Sequence, residues 1–143
     1  MKKFNFLIGD WSMKYTIPKS KFGERATGEG NGTFKKALND QYVFFDYRAK
    51  FTTGSAQAHG IFARDDANKC YRYWWFEDSG NFQTATCNFL NKNTLFLSWR
   101  EALLIQTFER ISEDRIILTM SQPVDKQNFE PVLIVDFVRK QLK

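Results

Sequence analysis

Turn-forming residues recur along this chain at short, nearly even intervals, and this spacing narrows the possible folds more than any other feature. Asp, Asn, Gly and Ser favour turns because they tolerate left-handed backbone angles or bond to their own main chain. Seven such clusters precede a longer polar stretch at 121–128: Pro18–Gly23, Leu38–Asp40, Thr52–Gly54, Asp65–Asn68, Asp78–Gly80, Asn91–Asn93 and Ser112–Asp114. Such regular spacing of short segments indicates an antiparallel barrel or sandwich.

The runs between these turns alternate between apolar and polar residues, which is typical of half-buried strands. They are Trp11–Ile17, Gly28–Lys36, Tyr42–Phe51, Gln57–Ala63, Cys70–Phe76, Phe82–Leu90, Thr94–Trp99, Ile105–Ile111, Arg115–Met120 and Val132–Val138. We therefore expect an all-β fold, an up-and-down antiparallel β-barrel of about ten strands. It should occupy residues 1–143 as a single domain, with at most a short helical turn at Lys2–Leu7.

One run also fits a helix. Leu104, Ile105, Phe108 and Ile111 in the segment Glu101–Ile111 match a helical apolar stripe. The turn at 112–114 and the apolar run after it look like the second half of a hairpin, so a strand is favoured.

Composition excludes several classes of protein. Aromatic residues make up 17% of the chain, including 15 Phe and 4 Trp, and aromatic side chains suit a pleated, half-buried surface. The formal charge is +5, but basic residues occur only in twos and threes, which predicts a solvated surface and no nucleic-acid groove. Cys70 and Cys87 are 17 residues apart and there is one His, so we expect two buried thiols and no metal site.

The N-terminal apolar stretch, residues 4–8, is interrupted by Asn5 and stopped by Gly9-Asp10, which makes it too short for a secretion signal. No run approaches the length of a membrane span. We expect a cytoplasmic protein that does not enter membranes.

A short motif at the start of the first strand, Gly9-Asp10-Trp11, resembles the opening of the calycin group, the lipocalins and fatty-acid-binding proteins. The resemblance implies that Trp11 packs across the base of the barrel, and that Arg139 covers it from the last strand. Other matching residues resemble an uncharacterised bacterial family of lipocalin-like proteins: Gly28-x-Gly30, Gly60-Ile61-Phe62 and the pattern Tyr71, Trp75, Asp78-Ser79.

Two features of that group are missing. Fatty-acid-binding proteins carry a helical pair between their first two strands, whereas residues 18–23 leave too little chain for it. They also hold the ligand carboxylate with an Arg-x-Tyr on the final strand, and this final strand has Asp136 to Arg139 without that pair. Fatty acids are therefore not the expected ligand.

Tyr71-Arg72-Tyr73-Trp74-Trp75-Phe76 is the most distinctive segment. Alternation places Tyr71, Tyr73 and Trp75 inside the barrel, where they either wall a flat ligand or fill the interior. Trp74 and Phe76 then face outward, and an exposed apolar pair of this kind favours a homodimer contact.

These observations favour a protein that binds a small hydrophobic or aromatic molecule in a barrel cavity, entered at the end opposite Trp11. The expected binding residues are Tyr15, Phe45, Tyr47, His59, Tyr71, Tyr73, Trp75 and Trp99. We expect neither a resident cofactor nor a catalytic residue, because no nucleophile–base or paired-carboxylate arrangement occurs. Three alternatives remain: haem bound through His59, an enzyme using His59 and a Tyr as acid–base groups, and a filled barrel acting as a dimerising module.

Overall fold

Ten strands in succession close into one barrel. The computed structural model describes residues 1–19, 23–52, 54–99 and 103–141. A 3₁₀ helix at Lys2–Leu7 precedes the strands, which are β1 Gly9–Ile17, β2 Ala26–Ala37, β3 Tyr42–Phe51, β4 Gly54–Asp65, β5 Cys70–Glu77, β6 Phe82–Asn91, β7 Thr94–Trp99, β8 Ile105–Ser112, β9 Arg115–Pro123 and β10 Phe129–Arg139. Each strand pairs antiparallel with its chain neighbours, and β1 pairs with β10, so the sheet has no free edge.

The predicted fold class is confirmed, and each of the ten predicted runs is a strand or most of one. From Ile105 onward, the segment that also fitted a helix is strand β8, hydrogen-bonded to β7 and β9, so the helical interpretation is wrong there. Residues 20–22 of the first predicted turn, Thr53 of the third and the segment 100–102 lie outside the described residues.

Glycines on the inward face of β2 let the sheet curl tightly against β3. A Cβ on Gly30 would lie 2.5 Å from the carbonyl oxygen of Arg48, and one on Gly32 would lie 2.6 Å from the ring of Phe45. Gly30 is therefore required for close approach of the two backbones, whereas Gly32 leaves room for the Phe45 ring and the Met13 side chain.

The Trp11 indole closes one end of the barrel and is fully buried. Its Nε1–H donates to the carbonyl of Leu7 at 2.7 Å, which ties the 3₁₀ helix across the base. The Arg139 guanidinium lies over the indole face, 4.2 Å from the ring centroid, and Trp11 and Arg139 are direct partners in the β1–β10 register. Arg139 also donates to the carbonyls of Ile8 and Phe6, at 2.7 and 3.2 Å. The Trp–Arg contact that the resemblance implied is therefore present.

Gly9 is needed beside this contact for two reasons. Its φ of +134° is one that residues other than glycine rarely adopt. A Cβ there would also collide with the Arg139 guanidinium. The ring that meets Trp11 edge-on is Phe137, at 6.3 Å, whereas Phe4 packs against Phe62, Tyr71 and Phe89. These rings fill the base of the barrel.

Candidate functional site

The interior of the barrel is filled near Trp11 and hollow toward the other end. A cavity of about 260 Å³ is bounded on β1 by Met13 and Tyr15, which follow Trp11, and on β10 by Leu133 and Val135, which precede Arg139. The cavity therefore lies toward the end opposite the Trp11–Arg139 contact. It reaches the surface beside Glu77, which is exposed.

Nearly half of the described residues that line the cavity are aromatic. Six of the predicted binding residues line it: Tyr15, Phe45, Tyr47, Tyr73, Trp75 and Trp99. Each occupies an inward position of its strand because side chains alternate between the two faces of a sheet. Phe108 and Phe137 complete the aromatic wall.

Three of these rings form a nearly parallel stack along one side. The centroids of Phe45 and Tyr47 are 5.8 Å apart with their planes at 15°, and those of Tyr47 and Trp75 are 5.3 Å apart at 20°. The ring of Tyr15 adjoins this group, with its centroid 6.1 Å from that of Tyr47. An aromatic wall of this kind offers ring–ring contacts to a flat aromatic molecule.

A few polar side chains border the cavity and hydrogen-bond to its two indoles. The Trp99 Nε1–H donates to Gln106 Oε1 at 3.0 Å, and Gln106 is the one buried polar side chain of the described core. At the mouth, the Trp75 Nε1–H donates to Glu77 Oε1 at 3.0 Å, and the Ser79 hydroxyl donates to Glu77 Oε2 at 3.2 Å. Both indoles and the carboxylate are thereby fixed in orientation.

The cavity phenols stay protonated near neutral pH. Burial raises the pKa of Tyr15, and the neighbouring Tyr47 adds to this. Burial, with repulsion from Glu77 and Asp78, raises the pKa of Tyr47 to about 12. Burial also raises the pKa of Tyr73. These groups can donate hydrogen bonds but are poorly suited to exchange protons at neutral pH.

Two predicted binding residues lie away from the cavity. Tyr71 is inside the barrel but belongs to the filled base, where its ring is 5.0 Å from Phe4. His59 is on the outer face, since Ala58, Gly60 and Phe62 take the inward positions of β4. Its Nδ1 is hydrogen-bonded to the Asp46 carboxylate, and its ring meets Phe44 edge-on at 5.4 Å.

The position of His59 bears on two alternatives. The structure does not bring His59 and a cavity Tyr together as an acid–base pair, because a strand separates the imidazole from the interior. For the same reason His59 cannot be the axial ligand of a haem inside the barrel. Among the described residues, no group of three or more His, Cys, Asp or Glu could hold a metal ion.

The expected outward pair lies on the outer face of β5. Phe76 is 43% exposed, and it lies 6.4 Å from the ring of Phe82, which is 71% exposed. Trp74 is half-buried on the same face. Cys70 and Cys87 are buried and not joined to each other.

Sequence reasoning missed the polar residues of the cavity. Glu77, Gln83 and Gln106 all line it. Alternation could have indicated them, because Glu77 is two residues after Trp75 and Gln106 is two before the buried Phe108. No helix in the described part of the chain is long and apolar enough to cross a membrane.

No protein-family model and no curated protein sequence matches the chain. Solved structures do match it along nearly its whole length. Rv2717c from M. tuberculosis is 10% identical, with a TM-score of 0.67 over 98% of this chain and 96% of that one. The S-type phycobiliprotein lyase CPES from Guillardia theta is 6% identical, with a TM-score of 0.73 over 99% and 93%.

A de novo designed fluorescence-activating β-barrel is 10% identical, with a TM-score of 0.53 over 98% and 99% of the two chains. At these identities the likeness shows the fold alone. Together with the closed meander and the Trp–Arg base, it supports a lipocalin-like β-barrel, the class that the resemblance to calycins implied.

Proposed function

We propose that this protein binds a small, flat, aromatic molecule in the cavity of the barrel. The observation that carries the proposal is the hollow half of the interior, about 260 Å³ in volume and walled by the ring stack of Phe45, Tyr47 and Trp75. Ligand pockets usually measure roughly 300–1,000 Å³ and combine aromatic walls with a few polar groups. A cavity just below that range favours a molecule of one or two rings.

The similar barrels support this use of the fold. One of them is a phycobiliprotein lyase, and another was designed as a fluorescence-activating barrel. Neither haem nor a fatty acid is favoured for this chain, because the cavity is small, His59 is outside it, and no Lys or Arg is among its described lining residues.

Adjacent tryptophans on opposite faces of β5 provide the test. Trp75 lines the cavity, whereas Trp74 is on the outer face. Small phenols and indoles, titrated by calorimetry, should bind the parent protein, and Trp75→Ala should weaken binding at least tenfold. The Trp74→Ala variant should bind like the parent. The proposal is wrong if no aromatic probe binds, or if the two variants behave alike.

A homodimer is a second candidate, favoured by the exposed rings of Phe76 and Phe82. Packing this outer face against a second copy would remove both rings from water, and self-complementary patches commonly make two-fold dimers. Such a contact is compatible with ligand binding because it uses the opposite face of the same strands.

A further inference from the structure

The charge at the cavity mouth restricts the ligand further, and this step rests on the proposed function. Among the described residues that line the cavity, Glu77 is the one charged side chain. The chain as a whole has 21 Lys and Arg against 16 Asp and Glu, so a carboxylate in this position runs against the overall charge. We propose that the ligand is an aromatic amine, bound with its ring in the stack and its ammonium group at Glu77.

The carboxylate is held where an ammonium group can reach it. Its two described hydrogen bonds come from neutral donors, the Trp75 indole and the Ser79 hydroxyl, so neither neutralises its charge. A carboxylate has about four lone-pair sites, and these two bonds leave others for a ligand. The Trp75 bond also joins the charged group directly to the ring stack.

The surrounding rings suit the same chemistry. The carboxylate accepts from the edge of the Trp75 indole, and Tyr47 packs against that indole with its centroid 5.3 Å away. An ammonium group bound at Glu77 would therefore leave the aromatic ring of the ligand beside these two side chains. A ligand carboxylate would meet Glu77 with the same charge and would be repelled.

The positive charge of the protein surface opposes a cation only weakly at the mouth. Charges farther apart than about 8 Å are largely screened at physiological salt. Glu77 acts at hydrogen-bonding distance, where screening is least effective. The local carboxylate should therefore outweigh the distributed surface charge.

Three phenols of matched shape separate the charge effect from cavity binding: tyramine, neutral 4-ethylphenol, and 3-(4-hydroxyphenyl)propionate. Calorimetry should show tyramine binding about tenfold more tightly than 4-ethylphenol, as expected for a charge-assisted hydrogen bond to a carboxylate. The propionate should bind more weakly than 4-ethylphenol. In Glu77→Gln, which keeps the side-chain shape, tyramine should lose its advantage over 4-ethylphenol.

Glu109→Gln is the matched control, because Glu109 is exposed on β8 and does not line the cavity. It should leave the order of the three affinities unchanged. The inference is overturned if 4-ethylphenol or the propionate binds as tightly as tyramine, or if the advantage of tyramine survives in Glu77→Gln. Binding of none of the three phenols would instead contradict the proposed function itself.

Discussion

The phenol of Tyr73 occupies the space that a side chain at Gly60 would fill. A Cβ added to Gly60 would collide with the Tyr73 hydroxyl and lie 2.5 Å from two of its ring carbons. Tyr73 is almost fully buried, and its ring stacks on Phe62 at 4.0 Å. The glycine on β4 therefore determines where a cavity-wall residue of β5 lies.

Gly60→Ala should destabilise the protein by about 1–3 kcal/mol, the usual cost of overfilling a packed core. Chemical denaturation measures this loss. Gly23→Ala is the control, because a Cβ at Gly23 would have none of the described residues' atoms within 4 Å apart from its chain neighbours. Equal effects of the two substitutions would contradict the close Gly60–Tyr73 packing.

Tyr73→Phe should leave the free energy of unfolding unchanged or raise it. The Tyr73 hydroxyl is buried and has no hydrogen-bond partner among the described residues. An unsatisfied buried polar group costs about 1–3 kcal/mol, and this variant removes that cost. A loss of stability in urea denaturation would show that the hydroxyl does have a partner.

Trp11→Ala should reduce the free energy of unfolding by about 3–5 kcal/mol, as for other large truncations in a core. The substitution removes a fully buried indole, its bond to Leu7 and its contact with Arg139. Trp74→Ala, on the outer face, should cost clearly less. A loss below about 1 kcal/mol for Trp11→Ala would be incompatible with its role in the base.

Trp74→Lys tests the homodimer. A charge placed beside Phe76 and Phe82 should prevent burial of this face, so sedimentation velocity should show a dimeric parent and a monomeric variant. Glu109→Lys, a charge change elsewhere on the outer surface, should remain dimeric. A monomeric parent would rule out the dimer.

Stability should fall in alkali as Tyr47 ionises. Its pKa is raised by burial and by Glu77 and Asp78 from 10.0 to about 12 in the folded protein. The unfolded chain therefore loses this proton first, and the contribution of Tyr47, complete below pH 10, is lost as the pH rises from 10 to 12. Tyr47→Phe should lessen the pH dependence of unfolding in that range. An unchanged dependence would contradict the raised pKa.

The sequence was sufficient for the strands and for the inward faces, because period-two alternation and turn residues are local signals. The alternation of Trp11, Met13 and Tyr15 was enough to put all three inside. Arg139 could be matched to Trp11 only through the resemblance to calycins, since the two are 128 positions apart in the chain.

The tertiary structure decided which inward residues line a cavity and which fill the base. Tyr71, Tyr73 and Trp75 share one face of β5, yet Tyr71 packs on Phe4 of the 3₁₀ helix while the other two border the cavity. Alternation gives the face of a residue but not its height along the barrel axis. That height, and the place of Glu77 at the mouth, depend on strand register and on how far the rings from distant strands fill the interior, and both are set only when the barrel closes.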